Sequence, residues 1–393
     1  MSLSDRVQRI KPSPTLAVTS RAAELKASGK DIIGLGAGEP DFDTPEHIKE
    51  AAIQALRDGQ TKYTAVDGTP GLKKAIIQKF ARDNQLAYTP KQILVSCGAK
   101  HSLFNLFLAL LNPGDEVIIP APYWVSYPDM ALLADAVPVI ISAGIEQQFK
   151  ITPAQLEAAI TPKTKLFVLN SPSNPTGVAY SKNELQALGA VLLKHPQVWI
   201  VSDDIYEPIW WAKEAFHNIL MACPELYERT IVVNGVSKSY SMTGWRIGYA
   251  AGPAGLIGAM NKIQSQSTSN PTSIAQAAAQ AALDGPQDCV TRMVEAFQQR
   301  HEFVFNFLSN IPGVQVMPSD GTFYSFPNFQ SIIERMPNIE DDIAFAEFLL
   351  LEAGVAIVPG SAFGAPGYGR LSFATDLKTL EDALTRIQHA VTS

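Results

Sequence analysis

The stretch TIVVNGVSKSYSMTGWRIGYA, residues 230–250, joins two apolar runs through a turn of small residues. The turn carries Lys238, and Arg246 stands directly before Ile247, where the second run begins. A short β-branched run that ends at a polar residue is typical of a buried strand in a parallel sheet. This stretch therefore predicts a strand whose carboxyl end presents a lysine and an arginine.

Similar apolar runs precede this one and alternate with helical patterns. Helical patterns such as HSLFNLFLALL and ELQALGAVLLK separate runs that include QILVS, EVIIP, VPVII, KLFVLN and VWIVS. This alternation predicts βαβ units with a mostly parallel sheet. We expect an α/β fold in which that sheet forms a large domain.

The pattern changes near the C-terminal end of the chain. A long helical pattern over residues 289–311 is followed by short strand patterns and two helices, which are typical of a smaller α+β domain. A chain of 393 residues also exceeds what one core usually supports. We expect an N-terminal arm with part of the small domain at 1–45, a large domain at 46–295 and a small C-terminal domain at 296–393. The arm is expected to cross to the second domain or to another subunit.

Composition narrows the class of function. Hydrophobic residues make up 46% and charged residues 18%, and the net charge of −7 includes no basic blocks, so small molecules are expected as partners rather than nucleic acids. No signal peptide and no apolar run of about 18 residues occur, which predicts no membrane partner. The three cysteines lack metal-ligand spacing, so we expect no metal site and a complete chain in the reducing cytoplasm.

The residues that follow the apolar runs are candidates for ligand binding, because ligands of parallel α/β sheets lie beyond the carboxyl ends of the strands. Gly98 and Ala99 follow QILVS and open a helical pattern, where free backbone N–H groups could bind a phosphate. An ordinary βα turn is the alternative. Asn174, in SPSNPTG after KLFVLN, offers an amide to an oxygen or simply belongs to a rigid turn.

Two carboxylates and a lysine follow the next strands. Asp203 and Asp204 come after VWIVS, where burial would require a cationic partner unless at least one is solvated. A lysine amine with its free pKa of about 10.4 is protonated, but burial or cationic neighbours lower that pKa and allow an imine to form. A solvated surface position is the ordinary alternative for Lys238, although its small neighbours and Arg246 favour a function. Pyridoxal phosphate requires such a lysine, an acid, oxygen-directed donors and a phosphate site.

Seven motifs in one order carry a resemblance that covers nearly the whole chain. They are GAGEPDFDTP, TKYTAVDG, PAPYWVSYP, NSPSNPTG, SDDIYE, SKSYSMTGWRIGY and GRLSFAT. The chain resembles the class I pyridoxal-phosphate aminotransferases, and is most similar to the prokaryotic-type aspartate aminotransferases that include aspartate/prephenate aminotransferases. The resemblance implies the fold type I of pyridoxal-phosphate enzymes, with pyridoxal 5'-phosphate as cofactor.

The resemblance also implies a role for each matching residue at the cofactor. Lys238 matches the lysine that holds the cofactor covalently and later moves the proton. Asp203 matches the carboxylate at the pyridine nitrogen, and Tyr206 and Asn174 match the donors to the phenolic oxygen. Trp124 matches the aromatic residue stacked on the ring, although a core or interface tryptophan would fit the same position.

A phosphate site and a shared active site follow from the same resemblance. The residues implied around the phosphate are Gly98, Ala99, Lys100, Ser237 and Arg246, with Tyr63 reaching in from a neighbouring subunit. The resemblance therefore implies a homodimer with shared active sites. Gly235 departs from relatives that have a phosphate-binding serine there, which leaves the set of phosphate donors open. Asp204 replaces a commoner glutamate.

Substrate recognition is implied by a further set of matches. Arg370 matches the arginine that grips the substrate α-carboxylate, and Gly38 a backbone donor to the same group, with Trp124 and Asn174 nearby. Lys100 and Thr15 imply recognition of a second carboxylate, whereas Ser265 stands where some relatives place a partner-subunit arginine.

The activity implied is transfer of the amino group of aspartate to 2-oxoglutarate in two half-reactions, with prephenate as a further acceptor. An aminotransferase for alanine, aromatic or kynurenine substrates is the first alternative. A cofactor-binding regulatory module without turnover and a lyase or synthase of related fold are the others.

Overall fold

The computed structural model of the chain describes residues 3–392. Seven strands of this region form the central sheet, in the order β2-β8-β7-β6-β5-β3-β4. These strands are β2 Ile93–Ser96, β3 Glu116–Ala121, β4 Val137–Ser142, β5 Thr164–Asn170, β6 Trp199–Asp203, β7 Thr230–Gly235 and β8 Gly248–Ala251. The strands from β7 to β4 pair in parallel, and β8 runs antiparallel to both of its neighbours. The predicted mostly parallel sheet is therefore confirmed.

The register of this sheet brings three strand ends together. Asn170 of β5 pairs with Asp203 of β6, which pairs in turn with Val233 of β7. The segments that follow these strands therefore leave the sheet at the same edge. This edge is where a parallel sheet binds ligands.

Both faces of the sheet are buried along its inner strands, which explains why β5, β6 and β7 are continuous β-branched runs rather than alternating ones. Along β7, Val232 packs into the core on one face and Val233 into the core on the other. Helices cover the two faces. The helices of the large domain before residue 285 are α3 Glu46–Arg57, α4 Pro70–Lys79, α5 Ala99–Leu110, α6 Ser126–Leu133, α7 Pro153–Ala159, α8 Lys182–Lys194, α9 Ile219–Ala222, α10 Ala254–Ser265 and α11 Ser273–Asp284. They are preceded by α1 Asp5–Gln8 and α2 Pro14–Ala27, which belong to the N-terminal segment.

A second, smaller layer follows the long helix α12 Asp288–Ser309. Its strands are β9 Tyr324–Ser325, β10 Val355–Ala356, β11 Val358–Pro359 and β12 Gly369–Ser372, and its helices are α13 Gln330–Ile333, α14 Asp342–Phe348 and α15 Leu377–Thr392. Strands β11, β12 and β9 form an antiparallel sheet. The four-residue helix α13 adds to the two helices that the sequence predicts, because one turn is too short to show a helical period.

The N-terminal segment contacts both layers. Strand β1 Ile33–Gly34 pairs in parallel with β10, whereas α1 lies against α6, where Arg6 and Arg9 both form ion pairs with Asp135. Helix α12 changes core along its length, since Val290 packs with the large sheet and Phe297 with the smaller layer. The boundaries at residues 45 and 295 stay predictions. Within residues 3–392, no helix is both long and apolar enough to cross a membrane.

Candidate active site

The carboxyl ends of β5, β6 and β7 border a cavity of about 270 Å³. Twelve of the residues that the sequence predicts for the site line it. They are Thr15, Gly38, Ala99, Lys100, Trp124, Asn174, Asp203, Tyr206, Ser237, Lys238, Arg246 and Arg370. The arrangement gathers residues that lie far apart in the sequence and in both layers of the fold.

Lys238 follows β7 and points its amine into this cavity. Its Nζ donates a hydrogen bond of 2.5 Å to the carbonyl of Gly38. Desolvation, and then the positive charges of Arg370 and Arg246, lower the pKa of Lys238 from 10.5 to about 8. The neutral, nucleophilic form of the amine is therefore accessible close to neutral pH.

Asp203 ends β6 and is buried at the floor of the site. The Tyr127 hydroxyl donates to its Oδ2 at 2.6 Å, and the Ile205 N–H donates to its Oδ1 at 3.3 Å. Burial raises the pKa of Asp203 to about 6, and the bond from Tyr127 opposes this increase. Asn170 also donates from Nδ2 to the Asp203 carbonyl at 2.9 Å, which fixes the backbone.

Asp204 is as buried as its neighbour, so the interpretation that one of the two carboxylates is solvated is wrong. Its oxygens accept from Ser202 Oγ at 2.6 Å and from Asn218 Nδ2 at 2.8 Å. Burial, followed by the nearby charge of Glu207, raises the pKa of Asp204 to about 7. Only Asp203 lines the cavity, because successive residues at a strand end point to opposite sides.

A corner of the cavity offers donors suited to an anion. Gly98 is the residue before α5 and has a φ of +89°, and a Cβ at this position would collide with the Arg246 guanidinium. The N-terminal N–H groups of α5 and this guanidinium therefore converge where only glycine leaves room. Both groups favour a phosphate. The N–H groups of α5 do so through the helix dipole, and the guanidinium does so through its paired donors.

The structure explains why residue 235 is a glycine, where some relatives have a serine. A Cβ there would lie 3.1 Å from the backbone of Gly248 and 3.1 Å from the Ile205 side chain. The close approach of β7 and β8 thus leaves little space for a larger residue. Ser237, two residues later, lines the cavity.

Arg370, on β12, is only 2% exposed and still reaches the cavity. Its Nη1 donates to Asn174 Oδ1 at 2.8 Å, and its Nη2 donates to the Gly36 carbonyl at 2.7 Å. Within residues 3–392, its Nε has no hydrogen-bond partner and no carboxylate forms an ion pair with it. A buried guanidinium without a counter-ion favours an anionic ligand.

Tyr324 supports this arginine and was not predicted from the sequence. The Arg370 guanidinium lies 4.4 Å from the centre of the Tyr324 ring, and the Tyr324 and Tyr206 hydroxyls share a hydrogen bond of 2.9 Å. Asn170 and Tyr127 were missed as well. The sequence does contain a signal for Asn170, because this polar residue ends the apolar run KLFVLN.

Lys100 and Trp124 form another part of the cavity wall. The Lys100 Nζ lies 4.9 Å from the centre of the Trp124 ring, and this ring packs edge-on against Tyr127 with 5.3 Å between centroids. Desolvation, followed by the charge of Arg246, lowers the pKa of Lys100. Thr15 lines the same cavity as the second residue of α2.

Three predicted residues are not among those that line this cavity: Gly98, which directly precedes the lining residue Ala99, and also Tyr63 and Ser265. Tyr63 is 91% exposed, and Ser265 is exposed at the end of α10, where its Oγ donates to the Lys262 carbonyl at 2.7 Å. Neither lines the cavity of its own chain. Their contribution to the site of a neighbouring subunit stays a prediction.

This combination of residues agrees with the family comparison. Residues 30–387 match the family described as aminotransferase class I and II. The chain belongs to this family. The resemblance and the fold type I predicted from the sequence are therefore confirmed, and the aminotransferase cofactor is pyridoxal phosphate.

Several relatives of this aminotransferase cover nearly all of its length. The aspartate/prephenate aminotransferase of Nitrosomonas europaea is 61% identical over 98% of this chain and 99% of its own. That of Cereibacter sphaeroides is 57% identical over 98% of each chain. The solved aspartate aminotransferase of Rhizobium meliloti is 49% identical with a TM-score of 0.96, covering 100% of this chain and 99% of its own. That of Thermus thermophilus, solved with maleate, is 44% identical with a TM-score of 0.93, covering 99% of this chain and 100% of its own.

The residues present in this aminotransferase fit its cofactor. A partly buried amine of lowered pKa, a buried carboxylate and a glycine-lined anion corner lie around one cavity. These groups match the aldehyde, the ring nitrogen and the phosphate of pyridoxal phosphate. Within residues 3–392, no group of three or more potential metal ligands occurs.

Proposed function

We propose that this aminotransferase transfers the amino group of L-aspartate to 2-oxoglutarate, giving oxaloacetate and L-glutamate. The observation that carries the proposal is that Arg370 and Lys100 line the same cavity as the reactive Lys238. Each of these cations can bind one carboxylate of a dicarboxylic substrate. The Thermus thermophilus relative solved with the dicarboxylate maleate supports this interpretation.

The cofactor would be held by residues on all sides of the cavity. Lys238 would bind its aldehyde carbon, Asp203 would pair with its ring nitrogen, and Trp124 would cover one face of the ring. Tyr206 and Asn174 would donate to its phenolic oxygen. Its phosphate would lie at the corner formed by Gly98, Ala99, Lys100, Ser237 and Arg246. When bound, pyridoxal phosphate supplies the electron sink that stabilises negative charge at the substrate Cα.

Lys238 would carry the proton during transfer. Once the substrate is bound, the Lys238 Nζ would act as the general base that takes the proton from the substrate Cα, and its protonated form would act as the acid that gives the proton back. A pKa lowered to about 8 suits this role, because the amine loses and regains its proton near neutral pH. Asp203 would keep the ring nitrogen protonated, since that positive charge favours the carboxylate form against the effect of burial.

Substrate orientation would depend on the two carboxylate sites. Arg370 would bind the α-carboxylate with two parallel hydrogen bonds, exchanging its bond to Asn174 for the ligand, and the Gly38 backbone would contribute to the same site. Lys100, assisted by Thr15, would bind the distal carboxylate. Arg370 belongs to the smaller layer, so substrate binding would draw this layer over the cavity and exclude water.

Prephenate is proposed as a further amino acceptor, giving arogenate. Two relatives that are 61% and 57% identical are named aspartate/prephenate aminotransferases. Prephenate carries two carboxylates, so Arg370 and Lys100 could bind it in the same way as a shorter dicarboxylate.

We also propose a homodimer in the cytoplasm. Tyr63 is almost fully exposed although it matches a tyrosine that contacts the phosphate across a subunit boundary, and a second subunit would give it that contact. The three free cysteines suit a reducing compartment. Each active site would then contain residues of both subunits.

Steady-state transamination tests the proposal. Purified protein with pyridoxal phosphate is given each of aspartate, alanine and phenylalanine with 2-oxoglutarate, and the glutamate formed is quantified. Prephenate then replaces 2-oxoglutarate, and arogenate is quantified. We expect aspartate to have the highest kcat/KM and Lys238→Ala to abolish turnover. A higher kcat/KM for alanine or phenylalanine would support an aminotransferase of other specificity instead.

A further inference from the structure

Two fully buried glutamines, Gln264 and Gln276, bracket the connection between α10 and α11. Both side chains contact the loop over residues 64–69, which directly follows Tyr63. Buried amides are costly unless their donors and acceptors are paired. The bonds that they form therefore indicate what this part of the fold holds in place.

Gln264 uses its whole side-chain amide. Its Nε2 donates to the Val66 carbonyl at 2.7 Å and to the Val95 carbonyl at 2.8 Å. Its Oε1 accepts from Ser96 Oγ at 2.7 Å and from Asn105 Nδ2 at 3.0 Å. Gln264 thus ties the loop at Val66 to β2 and α5, with all four hydrogen-bonding positions of the amide occupied.

Gln276 holds the two ends of the same loop. Its Oε1 accepts from the Thr69 N–H at 2.8 Å, and its Nε2 donates to Thr64 Oγ1 at 3.1 Å and to the Pro271 carbonyl at 2.9 Å. The Asp67 carbonyl, in the middle of the loop, accepts from the Val95 N–H at 3.0 Å. The loop is therefore anchored at four positions between residues 64 and 69.

The anchored loop directly follows Tyr63. The Tyr63 side chain is 91% exposed, yet the loop that follows it is bonded to buried groups. Ser265, which directly follows Gln264, belongs to the same assembly. The two positions assigned to a neighbouring subunit's site are thus fixed by one bonded unit, although they are distant in the sequence.

We propose that Gln264 and Gln276 are positioning residues that hold Tyr63 in place for the cofactor phosphate of the neighbouring subunit. The inference rests on the proposed homodimer and on the proposed role of Tyr63. A group that is fixed before binding loses less conformational entropy when it binds, so the anchored loop raises cofactor affinity. Neither glutamine lines the cavity of its own chain.

A double-mutant cycle tests the inference through cofactor affinity rather than turnover. Gln264→Glu keeps the side-chain shape and acceptor positions but cannot donate to Val66 and Val95. The dimeric apoenzyme of the wild type, Gln264→Glu, Tyr63→Phe and the double variant is titrated with pyridoxal phosphate by absorbance. We expect Tyr63→Phe to weaken binding about tenfold and Gln264→Glu about three- to tenfold.

The double variant, Gln264→Glu with Tyr63→Phe, shows whether Gln264 acts through Tyr63. If Gln264 acts through Tyr63, the double variant binds the cofactor no more weakly than Tyr63→Phe alone. Multiplying effects would overturn the inference, because Gln264 would then act on stability or on another contact. If Tyr63→Phe alone leaves affinity unchanged, the proposed role of Tyr63 fails, and the positioning role fails with it.

Further variants keep the test decisive if a buried glutamate disturbs folding. Thr64→Val removes the acceptor of the Gln276 amide, together with the local bond from the Thr64 hydroxyl to the Ala65 carbonyl. It is expected to weaken cofactor binding about threefold in the wild type and not in Tyr63→Phe. Gln266→Glu, at an exposed position two residues after Gln264, is the matched control and should leave affinity unchanged. Sedimentation confirms that every variant compared is a dimer. Hydrogen exchange of the Thr69 amide in apoenzyme should accelerate in Gln276→Leu, which removes the Oε1 acceptor of that amide, and unchanged exchange would contradict the anchoring.

Discussion

The Tyr127 hydroxyl donates a 2.6 Å hydrogen bond to Oδ2 of Asp203, and both residues are buried. This bond favours the charged carboxylate, whereas desolvation favours the neutral acid and raises its pKa to about 6. Tyr127 packs against Trp124, so one side chain connects the proposed acid with the proposed ring-stacking residue. The state of Asp203 therefore depends on a neighbour outside the predicted set.

Tyr127→Phe should weaken catalysis by removing this donor. The pKa of Asp203 would rise further, so less carboxylate would be available to keep the cofactor nitrogen protonated. A hydrogen bond to a charged group contributes about 1.5 kcal/mol or more, which predicts a fall in kcat of about tenfold. The pH profile of kcat distinguishes this effect from a packing defect, because the acidic limb should move to higher pH. An unchanged acidic limb would contradict the role, and Tyr123→Phe provides the control.

Lys238→Met should stabilise the apoenzyme at neutral pH. The folded pKa of Lys238 is lowered from 10.5 to about 8, so the unfolded chain binds more protons than the native protein between these values. The cost of burying the charge is complete below pH 8 and disappears as the pH rises towards 10.5. The gain should be on the order of 2–3 kcal/mol at pH 7 and should shrink by pH 9.5. Urea denaturation of apoenzyme measures it, with the exposed Lys91→Met as control, and a gain independent of pH would contradict the lowered pKa.

Arg370→Lys should reduce the activity towards every amino acid. A lysine keeps the positive charge but loses the two parallel donors that fit a carboxylate. It would also lose one of the two bonds that now join Arg370 to Asn174 and the Gly36 carbonyl. We expect kcat/KM to fall at least about hundredfold, equivalent to roughly 2.7 kcal/mol. Arg57→Lys, at an exposed position, should have no effect. A loss limited to dicarboxylates would show that Arg370 binds the distal group instead.

Lys100→Met should change specificity rather than remove activity. The Lys100 amine lies over the Trp124 ring, and methionine would keep much of that packing while removing the charge. We expect kcat/KM to fall about tenfold more for aspartate than for alanine, because losing the proposed phosphate contact would lower both values equally. Comparing the two substrates within one variant controls for damage to the cofactor site. Equal losses for both would place Lys100 at the cofactor alone, and the exposed Lys74→Met tests for an effect of net charge.

The sheet could be predicted from the sequence because each strand is recognisable from a short run of neighbouring residues. Most strands of the sheet are β-branched runs, and β2, β4, β5 and β6 each end in a polar residue, whereas β8 has no β-branched residue. The register of β5, β6 and β7 then brings Asn174, Asp203 and Lys238 to one cavity, as the rule for parallel sheets predicts.

The supporting residues could not be predicted because their roles depend on tertiary contacts. Nothing adjacent to Tyr127 in the sequence indicates that its hydroxyl reaches Asp203, and Tyr324 looks like an ordinary core residue until its ring is found beside Arg370. The burial of Asp204 was also beyond local patterns, because its partner Asn218 lies after an irregular segment.

The central claim is that this aminotransferase recognises dicarboxylic substrates, and single-turnover half-reactions test it most directly. The holoenzyme is mixed with aspartate, glutamate, alanine or phenylalanine, and conversion of the cofactor to its aminated form is followed by absorbance. We predict rapid conversion by aspartate and glutamate and slow conversion by alanine and phenylalanine, with prephenate then restoring the original spectrum. Faster conversion by alanine or phenylalanine than by aspartate would contradict the dicarboxylate site at Arg370 and Lys100.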